Sequence, residues 1–310
     1  EMNHLNSGNL TNVEFILGSV LNKSLFQEIL LNHSVDIIFH CAAYKHVPII
    51  ESNPLVGISN NVISTRIICE TSIKANIEKV VLISTDKAVR PTNVMGASKR
   101  LAELIVQGFD NKAKSNQEKN TKKQITKFSI VRFGNVLESS GSVVPLFKSQ
   151  IDMGGPITLT HPNIERYFMT IKEAAQLVLQ STELSEGGDL FLLDMGESIL
   201  IRDLAEKMIT LSGLTLKNES NPFGDIEIKI IGLRPGEKIK EELLIDGKAL
   251  PTSHPYIYKA IEKFISLDDL MPILNEIEEN LLLNNEKVVF AKIKQIVPEW
   301  NISNDISSYR

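Results

Sequence analysis

The sequence predicts an α/β protein with a Rossmann-like, doubly wound parallel sheet and a smaller second α/β domain. Short apolar runs alternate with longer segments of helical periodicity, which is the pattern of βα units. Runs such as Ile37-Ile38-Phe39 and Val80-Val81-Leu82-Ile83 are apolar on both faces, as expected of strands that helices cover on each side. The 310 residues, of which 43% are hydrophobic and 23% charged, suffice for one large domain or two smaller ones.

Each element follows from these patterns in chain order. We expect strands at Val13–Leu17, Val35–Cys41, Lys79–Ser84, Phe128–Phe133, Asp189–Leu193 and Ile226–Ile231. Helices are predicted at Leu25–Leu31, Pro54–Ala75, Lys99–Gln107, Ile171–Thr182, Ile201–Leu211 and Leu267–Leu282. The polar, low-complexity segment Asp110–Lys123 is expected to be a solvated loop. Regular alternation breaks down after Gly134, so we assign residues 1–134 and 163–190 to the large sheet and 135–162 and 191–310 to the smaller domain.

Composition excludes several classes of function. The 33 Lys and Arg residues against 38 Asp and Glu give a formal net charge of −5, which provides no electrostatic footprint for nucleic acid. No apolar run approaches the ~18–20 residues that a membrane span needs, and no secretory signal opens the chain, so a cytoplasmic location is expected. Cys41 and Cys69 lie in apolar stretches and are expected to be reduced core thiols, and no bound metal is expected.

Ligands of a doubly wound sheet bind at the carboxyl ends of its strands, so the loops after Cys41, Ser84 and Phe133 are the candidates. In the loop after Cys41, the small residues Ala42 and Ala43 would let a flat ligand approach the backbone. Lys45 in the same loop could contact a phosphate or a hydroxyl group of a ligand. His46 alone is a weak indication, because a lone histidine at a strand end is more often structural.

The second loop places several polar residues at one strand tip, with a lysine at the start of the next helix: Ser84, Thr85, Asp86, Lys87 and then Lys99. A surface ion pair worth little is the alternative interpretation of Asp86 and Lys87. The third loop, residues 134–145, offers glycine N–H groups and serine hydroxyls to an anionic or sugar ligand. Further on, Arg234 can bind a phosphate as a fork and Glu237 can accept hydrogen bonds from ribose hydroxyls. Solvated turns without a ligand are the alternative for each of these last two segments taken alone.

In this order and spacing the segments resemble the extended short-chain dehydrogenase/reductases that act on nucleotide sugars. Within them, the chain is similar to the CapD-type polysaccharide biosynthesis proteins, which are UDP-N-acetylglucosamine 4,6-dehydratases. The most diagnostic stretches are Phe39–Pro48, Ile83–Glu103, Val131–Phe147, Arg166–Thr170 and Leu233–Leu244. The resemblance implies an NAD(P)-binding Rossmann domain and a nucleotide-sugar-binding domain for the two parts defined above. It also implies NAD or NADP as cofactor, a UDP-sugar as substrate, a homo-oligomer, and a parent protein at the cytoplasmic face of the bacterial inner membrane.

The resemblance further implies roles for individual residues. The cofactor would contact Ser19, Val20, Ala42, Ala43, Lys45, Asn61, Ser84 and Lys99. The UDP-sugar would contact Lys45, His46, Asn135, Val136, Ser140, Gly141, Ser142, Val143, Val144, Arg166, Arg234 and Glu237. The catalytic positions would be Thr85, Asp86, Lys87, Met95 and Lys99.

The implied reaction oxidises C4 of the sugar, which acidifies the C5 proton; loss of that proton and of the C6 hydroxyl then precedes the return of the hydride to C6. Lys87 is the implied base at C5 and Asp86 the implied acid at O6. A partly desolvated lysine beside a cationic nicotinamide can lose its proton near neutral pH.

Two positions depart from the usual pattern of the superfamily. Met95 stands where most short-chain dehydrogenases have a tyrosine, so the C4 hydroxyl must lose its proton to Thr85, Asp86 or water. No G-x-x-G-x-x-G turn occurs in the 310 residues, and we expect a fragment whose first βαβ unit, with its pyrophosphate-binding turn, is missing. The alternatives are a nucleotide-sugar epimerase on the same fold and a non-catalytic UDP-sugar-binding fragment.

Overall fold

The computed structural model describes residues 13–119, 125–245 and 248–301. Its strands are β1 (Ile37–His40), β2 (Lys79–Thr85), β3 (Lys127–Phe133), β4 (Asn135–Val136), β5 (Ile157–Leu159), β6 (Glu165–Arg166), β7 (Phe168–Met169), β8 (Asp189–Leu193), β9 (Ile199–Leu200), β10 (Leu216–Lys217), β11 (Ile226–Ile230), β12 (Ala249–Pro251) and β13 (Ile257–Ala260). Its helices are α1 (Lys23–Asn32), α2 (Val47–Ser52), α3 (Pro54–Ile58), α4 (Ser64–Ala75), α5 (Val94–Lys119), α6 (Val143–Asp152), α7 (Ile171–Leu184), α8 (Ile201–Leu211), α9 (Leu267–Leu282) and α10 (Glu286–Ile296). A π-helical turn at Ser59–Ile63 joins α3 to α4, and a 3-10 turn at Asp86–Ala88 follows β2.

A six-stranded sheet in the order β1-β2-β3-β8-β13-β12 forms the centre of the molecule. The first four strands are parallel, whereas β13 pairs antiparallel with β8 and β12 antiparallel with β13. Ser84 lies opposite Arg132, and Thr85 opposite Phe133, in the ladder between β2 and β3. The carboxyl ends of these two strands therefore meet at one edge, and the loops that follow them are neighbours.

Both faces of the large sheet are buried at its central strands β2, β3 and β8, which is why these strands are almost continuously apolar. The expectation of cover on both faces is wrong for β1, where Ile37 and Phe39 are exposed. Val80 and Leu82 of β2 point into a core shared with α4, α5, α9 and α10, whereas Val81 points into a second core with α7. Successive side chains of a strand alternate between faces, so a strand covered on both sides needs apolar residues at nearly every position. The doubly wound α/β fold expected from the sequence is confirmed.

The smaller part of the chain builds a separate core around β5, β11, α6 and α8. Phe147 and Ile151 of α6 pack there against Ile157 of β5 and Ala205 of α8. Three short parallel strands, in the order β10-β11-β5, form its sheet.

Most predicted elements are confirmed. The elements expected at Asp189–Leu193, Ile201–Leu211 and Leu267–Leu282 have the predicted limits. The helix expected at Pro54–Ala75 is continuous but contains the π-helical turn in its middle.

Two predicted elements are wrong. Val13–Leu17 forms no strand, because no strand of the described residues pairs with it, and Phe15, Ile16 and Leu17 are exposed. The segment from Asp110 is not a loop, since α5 continues to Lys119; residues 120–123 of the expected loop lie outside the described residues.

Tertiary contacts explain why α5 continues through a polar sequence. The buried Asp110 carboxylate accepts a hydrogen bond from the Phe128 N–H at 3.1 Å and pairs with the Lys114 ammonium at 3.0 Å. Lys114 also donates to the Gly187 carbonyl at 2.7 Å. Composition alone favoured a loop, but these bonds attach the polar turn to β3 and to the turn before β8.

The sequence groups residues 191–310 with 135–162, yet two parts of that range pack differently in the structure. Elements between Ile199 and Ile230 surround the small core, whereas β12, β13, α9 and α10 extend the large sheet and its helical layer. We propose that residues 249–301 belong with the large sheet domain.

A buried ion network crosses the large domain near the carboxyl edge of the sheet. The Arg132 guanidinium of β3 lies 2.7 Å from the Glu103 carboxylate of α5 and 2.9 Å from the Glu262 carboxylate beyond β13. Arg100 pairs with the same two carboxylates, at 3.0 and 2.9 Å, and the Ser84 hydroxyl donates to Glu103 at 2.6 Å. Burial alone would raise the pKa of Glu103, but Arg132 and Arg100 outweigh it and lower that pKa to about 2.

Glu103→Gln should destabilise the protein by about 3–5 kcal/mol, because it leaves the buried Arg132 and Arg100 without one of their anions. Urea unfolding at pH 7 measures this loss. Glu206→Gln is the matched control: its exposed pair with Arg202 should contribute less than about 1 kcal/mol. The pKa of Glu103 falls on folding from 4.5 to about 2, so its ionisation stabilises the protein above pH 4.5 and this contribution disappears as the pH falls towards 2. A difference between wild type and Glu103→Gln that stays constant from pH 7 to pH 2 would contradict this assignment.

Candidate active site

A cavity of about 520 Å³ lies at the carboxyl edge of the large sheet, between the sheet and the smaller domain. Its wall combines the loop after β1, the ends of β2 and β3, the start of α5 and the start of α6. Residues 234–237 and Glu241 also line it. A cavity at this point in a doubly wound sheet is the default location of a ligand.

The loop after β1 is held in place by Asn61, which lies in the π-helical turn. The Asn61 side chain accepts a hydrogen bond from the Tyr44 N–H at 2.8 Å and donates to the Tyr44 carbonyl at 3.0 Å. It also donates to the Ser98 hydroxyl of α5 at 3.0 Å. Asn61 is buried and is not among the cavity-lining residues, so its contribution is to position the loop that carries Lys45 and His46.

The start of α5 is brought close to the turn after β2. A Cβ atom at Gly96 would lie 2.2 Å from the Lys87 carbonyl oxygen, so only glycine permits this approach. The buried Glu51 carboxylate accepts the Val94 N–H at 2.6 Å, and Asn93 accepts the Gly96 N–H at 2.8 Å. These contacts fix the start of α5, whose first two turns carry Met95 and Lys99 to the cavity wall.

The buried Asp86 and the partly exposed Lys87 form an ion pair next to Thr85. The Lys87 ammonium donates to Asp86 Oδ1 at 3.0 Å and to Asn135 Oδ1 at 3.2 Å, and the Thr85 hydroxyl donates to the same Asp86 oxygen at 2.8 Å. Thr85, Lys87 and Asn135 line the cavity. Asp86 is 0% exposed and is not among the lining residues, so it lies beneath Lys87 rather than on the cavity wall.

Glu241 completes this cluster, and the sequence did not single it out. Its Oε1 atom lies 3.8 Å from the Lys87 ammonium and 4.0 Å from the Arg166 guanidinium. Glu241 lines the cavity although it is only 5% exposed. Its place four residues after Glu237, in a segment already recognised as diagnostic, is the one sequence signal that could have identified it.

The charged groups in the cluster shift one another's pKa values. Burial lowers the pKa of Lys87, but the Asp86 and Glu241 carboxylates outweigh it and hold that pKa above its ordinary value. Burial raises the pKa of Glu241, partly offset by Lys87. In this arrangement of protein groups Lys87 is therefore an ammonium at neutral pH.

The pKa of Lys99, unlike that of Lys87, is lowered. Its ammonium donates to the Ile83 carbonyl at 2.7 Å, and burial lowers its pKa to about 8. Met95 lies one helical turn before Lys99 and also lines the cavity. A thioether moves no proton, so Met95 contributes apolar surface there.

Other residues of the cavity wall are suited to binding an anion. Ser142 is the N-cap of α6 and lines the cavity, and its buried hydroxyl has no hydrogen-bond partner among the described residues. Arg166 donates to the Lys238 and Ile239 carbonyls at 2.8 and 3.1 Å, which holds the segment that bears Glu237 and Glu241. Gly141 has φ of +67°, and its Cα lies so close to the His46 ring that a Cβ would meet it at 2.3 Å.

Most sequence-predicted site residues meet at this cavity. Those that line it are Ala43, Lys45, His46, Ser84, Thr85, Lys87, Met95, Lys99, Asn135, Val136, Ser140, Gly141, Ser142, Val143, Arg166, Arg234 and Glu237. Those that do not are Ser19, Val20, Ala42, Asn61, Asp86 and Val144. Cys69 is buried as expected, but the expectation for Cys41 is wrong, since it is exposed and lines the cavity.

Comparison with known proteins places the chain in a family. A family model described as polysaccharide biosynthesis protein matches residues 1–262. The capsular polysaccharide biosynthesis protein CapD of Staphylococcus aureus is 44% identical over 285 residues, which are 91% of this chain and 44% of that protein. The probable polysaccharide biosynthesis protein EpsC of Bacillus subtilis is 44% identical over 247 residues, covering 75% of this chain and 38% of that protein. A UDP-glucose 4-epimerase of Rickettsia canadensis is 36% identical over 232 residues, covering 75% of this chain and 62% of that protein.

Solved structures agree on the fold. Pen from Bacillus thuringiensis has a TM-score of 0.68 and 30% identity, with 84% of this chain and 80% of that chain covered. DesIV, a dTDP-glucose 4,6-dehydratase from Streptomyces venezuelae solved with NAD and TYD bound, has a TM-score of 0.59 and 19% identity, covering 73% and 69% of the two chains.

The fold and the match place the chain among the extended short-chain dehydrogenase/reductases. It belongs to the family of CapD-type polysaccharide biosynthesis proteins. The chain spans less than half the length of CapD and EpsC. Among its described residues, no helix is both long and apolar enough to cross a bilayer.

The ionisation of Lys99 should be visible between pH 8 and pH 10.5. Its pKa is lowered on folding from 10.5 to about 8, so the unfolded chain binds more protons in that interval and the stability due to Lys99 rises with pH. We expect one lysine ¹³Cε signal to titrate near pH 8 and to be absent from Lys99→Met. The unfolding free energy of wild type relative to Lys99→Met should rise over the same interval. A Lys99 signal that titrates at 10.5 would refute this.

Proposed function

We propose that the protein is a nucleotide-sugar 4,6-dehydratase that uses NAD or NADP to convert UDP-N-acetylglucosamine into a UDP-4-keto-6-deoxy sugar for bacterial surface polysaccharide or glycoprotein biosynthesis. The observation that carries the proposal is the cluster of Asp86, Lys87 and Glu241 at the cavity. Removing the C5 proton and expelling the C6 hydroxyl requires one group that accepts a proton and another that donates one. Carboxylate and ammonium groups in contact supply both.

The residues at one end of the cavity fit a nicotinamide cofactor. Cys41 and Ala43, directly after β1, are small enough for a flat ring to approach the backbone. An ammonium group has three N–H donors, and only one of those of Lys99 is needed for the Ile83 carbonyl, which leaves donors for ribose hydroxyls. When bound, NAD(P) would supply the hydride acceptor at C4 and the hydride donor at C6.

The groups at the other end fit a nucleoside diphosphate. The N-terminus of α6, with the unpartnered Ser142 hydroxyl, favours a phosphate because the first N–H groups of a helix are unsatisfied. Arg234 also lines the cavity, and a guanidinium binds phosphate oxygens as a fork. With the diphosphate there, the sugar would lie against Thr85, Lys87 and Glu241.

An epimerase is the second candidate, and the similarity to the Rickettsia UDP-glucose 4-epimerase favours it. Inversion at C4 needs oxidation and reduction at that carbon but no base at C5 and no acid at O6. The cluster beside the cavity would then have no chemical task. We therefore favour the dehydratase.

Proton NMR of UDP-N-acetylglucosamine incubated with the chain and NAD⁺ or NADP⁺ in D₂O separates the two reactions. A dehydratase should produce a new 6-deoxy methyl signal with solvent deuterium at C5. Lys87→Met should lower this rate at least about 100-fold, because it removes a group that holds a proton at the reacting carbons.

A stereoisomer whose C6 hydroxyl and C5 proton are intact would instead establish the epimerase. Calorimetry with UDP provides the control: Lys87→Met should bind UDP as tightly as wild type, since Lys87 lies at the sugar end of the cavity.

A further inference from the structure

We propose that Thr65 is a positioning residue for ligand binding, although it is not among the residues that line the cavity. It belongs to a chain of hydrogen bonds that runs from His40, at the end of β1, through the π-helical turn to the loop after β1. This chain holds the loop in the conformation that places Lys45 and His46 on the cavity wall. The inference rests on the proposed function only for the class of ligand, a nucleoside diphosphate.

The Thr65 hydroxyl joins the strand to the π-helical turn. It lies 2.8 Å from the Asn61 carbonyl oxygen, four residues earlier, and 2.9 Å from Nε2 of His40. A carbonyl oxygen only accepts hydrogen bonds, so the single hydroxyl proton of Thr65 is donated to Asn61. The hydroxyl oxygen therefore accepts its second bond from a proton on His40 Nε2. Thr65 and His40 are 1% and 4% exposed, so the loss of either bond would leave a buried polar group without a partner.

The same hydrogen bonds determine the protonation state of His40. Nε2 carries the ring proton, and Nδ1 is buried with no hydrogen-bond partner among the described residues. A second proton, on Nδ1, would have no acceptor there. Burial, together with the nearby Lys99 ammonium, lowers the pKa of His40 to about 3. His40 is therefore uncharged at neutral pH and acts as a hydrogen-bond donor to Thr65.

The π-helical turn connects these two bonds to the loop after β1. The backbone carbonyl of Asn61 is held by Thr65, while its side chain accepts the Tyr44 N–H at 2.8 Å and donates to the Tyr44 carbonyl at 3.0 Å. The Ser64 hydroxyl likewise donates to the Asn60 carbonyl, so two hydroxyls stabilise carbonyls of this turn. The Asn61 side chain reaches Tyr44 only while its backbone keeps this position. Loss of the Thr65 hydroxyl should therefore loosen the loop.

The loop then reaches the residues that are suited to an anion. Lys45 and His46 directly follow Tyr44, and both line the cavity. The His46 ring lies so close to Gly141 that a Cβ atom there would be 2.3 Å from the ring atom Cε1. Gly141 immediately precedes Ser142, the N-cap of α6. A shift of the loop at Tyr44 would therefore move Lys45 and His46 relative to the N-terminus of α6, where the diphosphate is expected.

Thr71 provides a matched control on the same helix. It is also 1% exposed, and its hydroxyl donates to the Ile67 carbonyl, four residues earlier, at 2.6 Å. Among the described residues, the hydrogen-bond partners of this hydroxyl are the Ile67 and Ile68 carbonyls of α4 itself. Replacing either threonine with valine keeps the shape of the side chain and removes one buried hydroxyl. Only Thr65→Val also breaks the connection to the loop after β1.

Calorimetry with UDP and amide hydrogen exchange at Tyr44 test the inference on the 310-residue chain. Thr65→Val should weaken UDP binding about tenfold, because ordering the loop then subtracts from the free energy of binding. The Tyr44 amide proton should exchange at least about tenfold faster, since its acceptor is no longer held in place. Thr65→Ser should restore both values, because it keeps the hydroxyl. Thr71→Val should lower the free energy of unfolding by a similar amount but leave UDP binding and Tyr44 exchange as in wild type.

Nitrogen NMR of the histidine rings tests the other end of the chain of hydrogen bonds. His40 should keep a proton on Nε2 and a bare Nδ1 from pH 5 to pH 8, the interval in which an ordinary histidine titrates. Its signals are identified by their absence from His40→Gln. That variant places an amide N–H near the position of Nε2 and should bind UDP within about threefold of wild type, whereas His40→Leu should resemble Thr65→Val.

The inference is overturned if Thr65→Val binds UDP as tightly as wild type, or if Thr71→Val weakens binding as much, since stability alone then explains the effect. A bare Nε2 on His40 would also overturn it, and so would a wild-type chain without affinity for UDP. The expected UDP binding without dehydration of UDP-N-acetylglucosamine supports the inference and refutes only the proposed function. Dehydration by a Thr65→Val variant that binds UDP normally refutes only the inference, so the two failures are distinguishable.

Discussion

The buried carboxylate of Glu103 joins parts of the chain that are far apart in sequence. It accepts a hydrogen bond from the Ser84 hydroxyl at the end of β2. It also forms ion pairs with Arg132 of β3 and with Arg100 of its own helix. The same two arginines bind Glu262 beyond β13, and Arg100 also reaches Glu299, 3.2 Å away near the last described residues. Charges buried this deeply are tolerated only when every partner is present. The carboxyl ends of β2 and β3 are therefore fixed relative to α5. Because these elements form part of the cavity wall, the ion network also holds that wall in place.

The fold could be predicted where a local pattern has a single explanation. The strand at Asp189–Leu193 is apolar throughout because both of its faces are covered, and α8 and α9 have a clear helical period. Prediction failed where distant contacts decide the structure. The polar end of α5 is helical because Asp110 and Lys114 bond to β3 and to the turn before β8. Val13–Leu17 has the composition of a strand but pairs with no strand in the part of the chain that the structure describes.

The candidate site shows the same division. Loops that follow strands β1, β2 and β3 could be located from the topology alone, and most of the residues chosen there meet at one cavity. The orientation of each side chain could not be predicted in this way. The adjacent residues Asp86 and Lys87 have different environments: Lys87 lines the cavity, whereas Asp86 is buried beneath its wall. Glu241 enters from a segment more than 150 residues further on. Arg166 holds that segment, and so do hydrogen bonds from Thr92 and Asn93 to the Gly236 carbonyl.

A crystal structure of the chain with UDP-N-acetylglucosamine tests most directly whether this cluster is the reacting centre. We expect the diphosphate at the N-terminus of α6 and the sugar ring against Lys87 and Glu241. C5 and C6 of the sugar should then face this cluster, with the Lys87 ammonium within contact distance of one of them, about 3–4 Å. A sugar ring bound away from both residues, with C5 and C6 facing solvent or apolar side chains, would contradict the assignment.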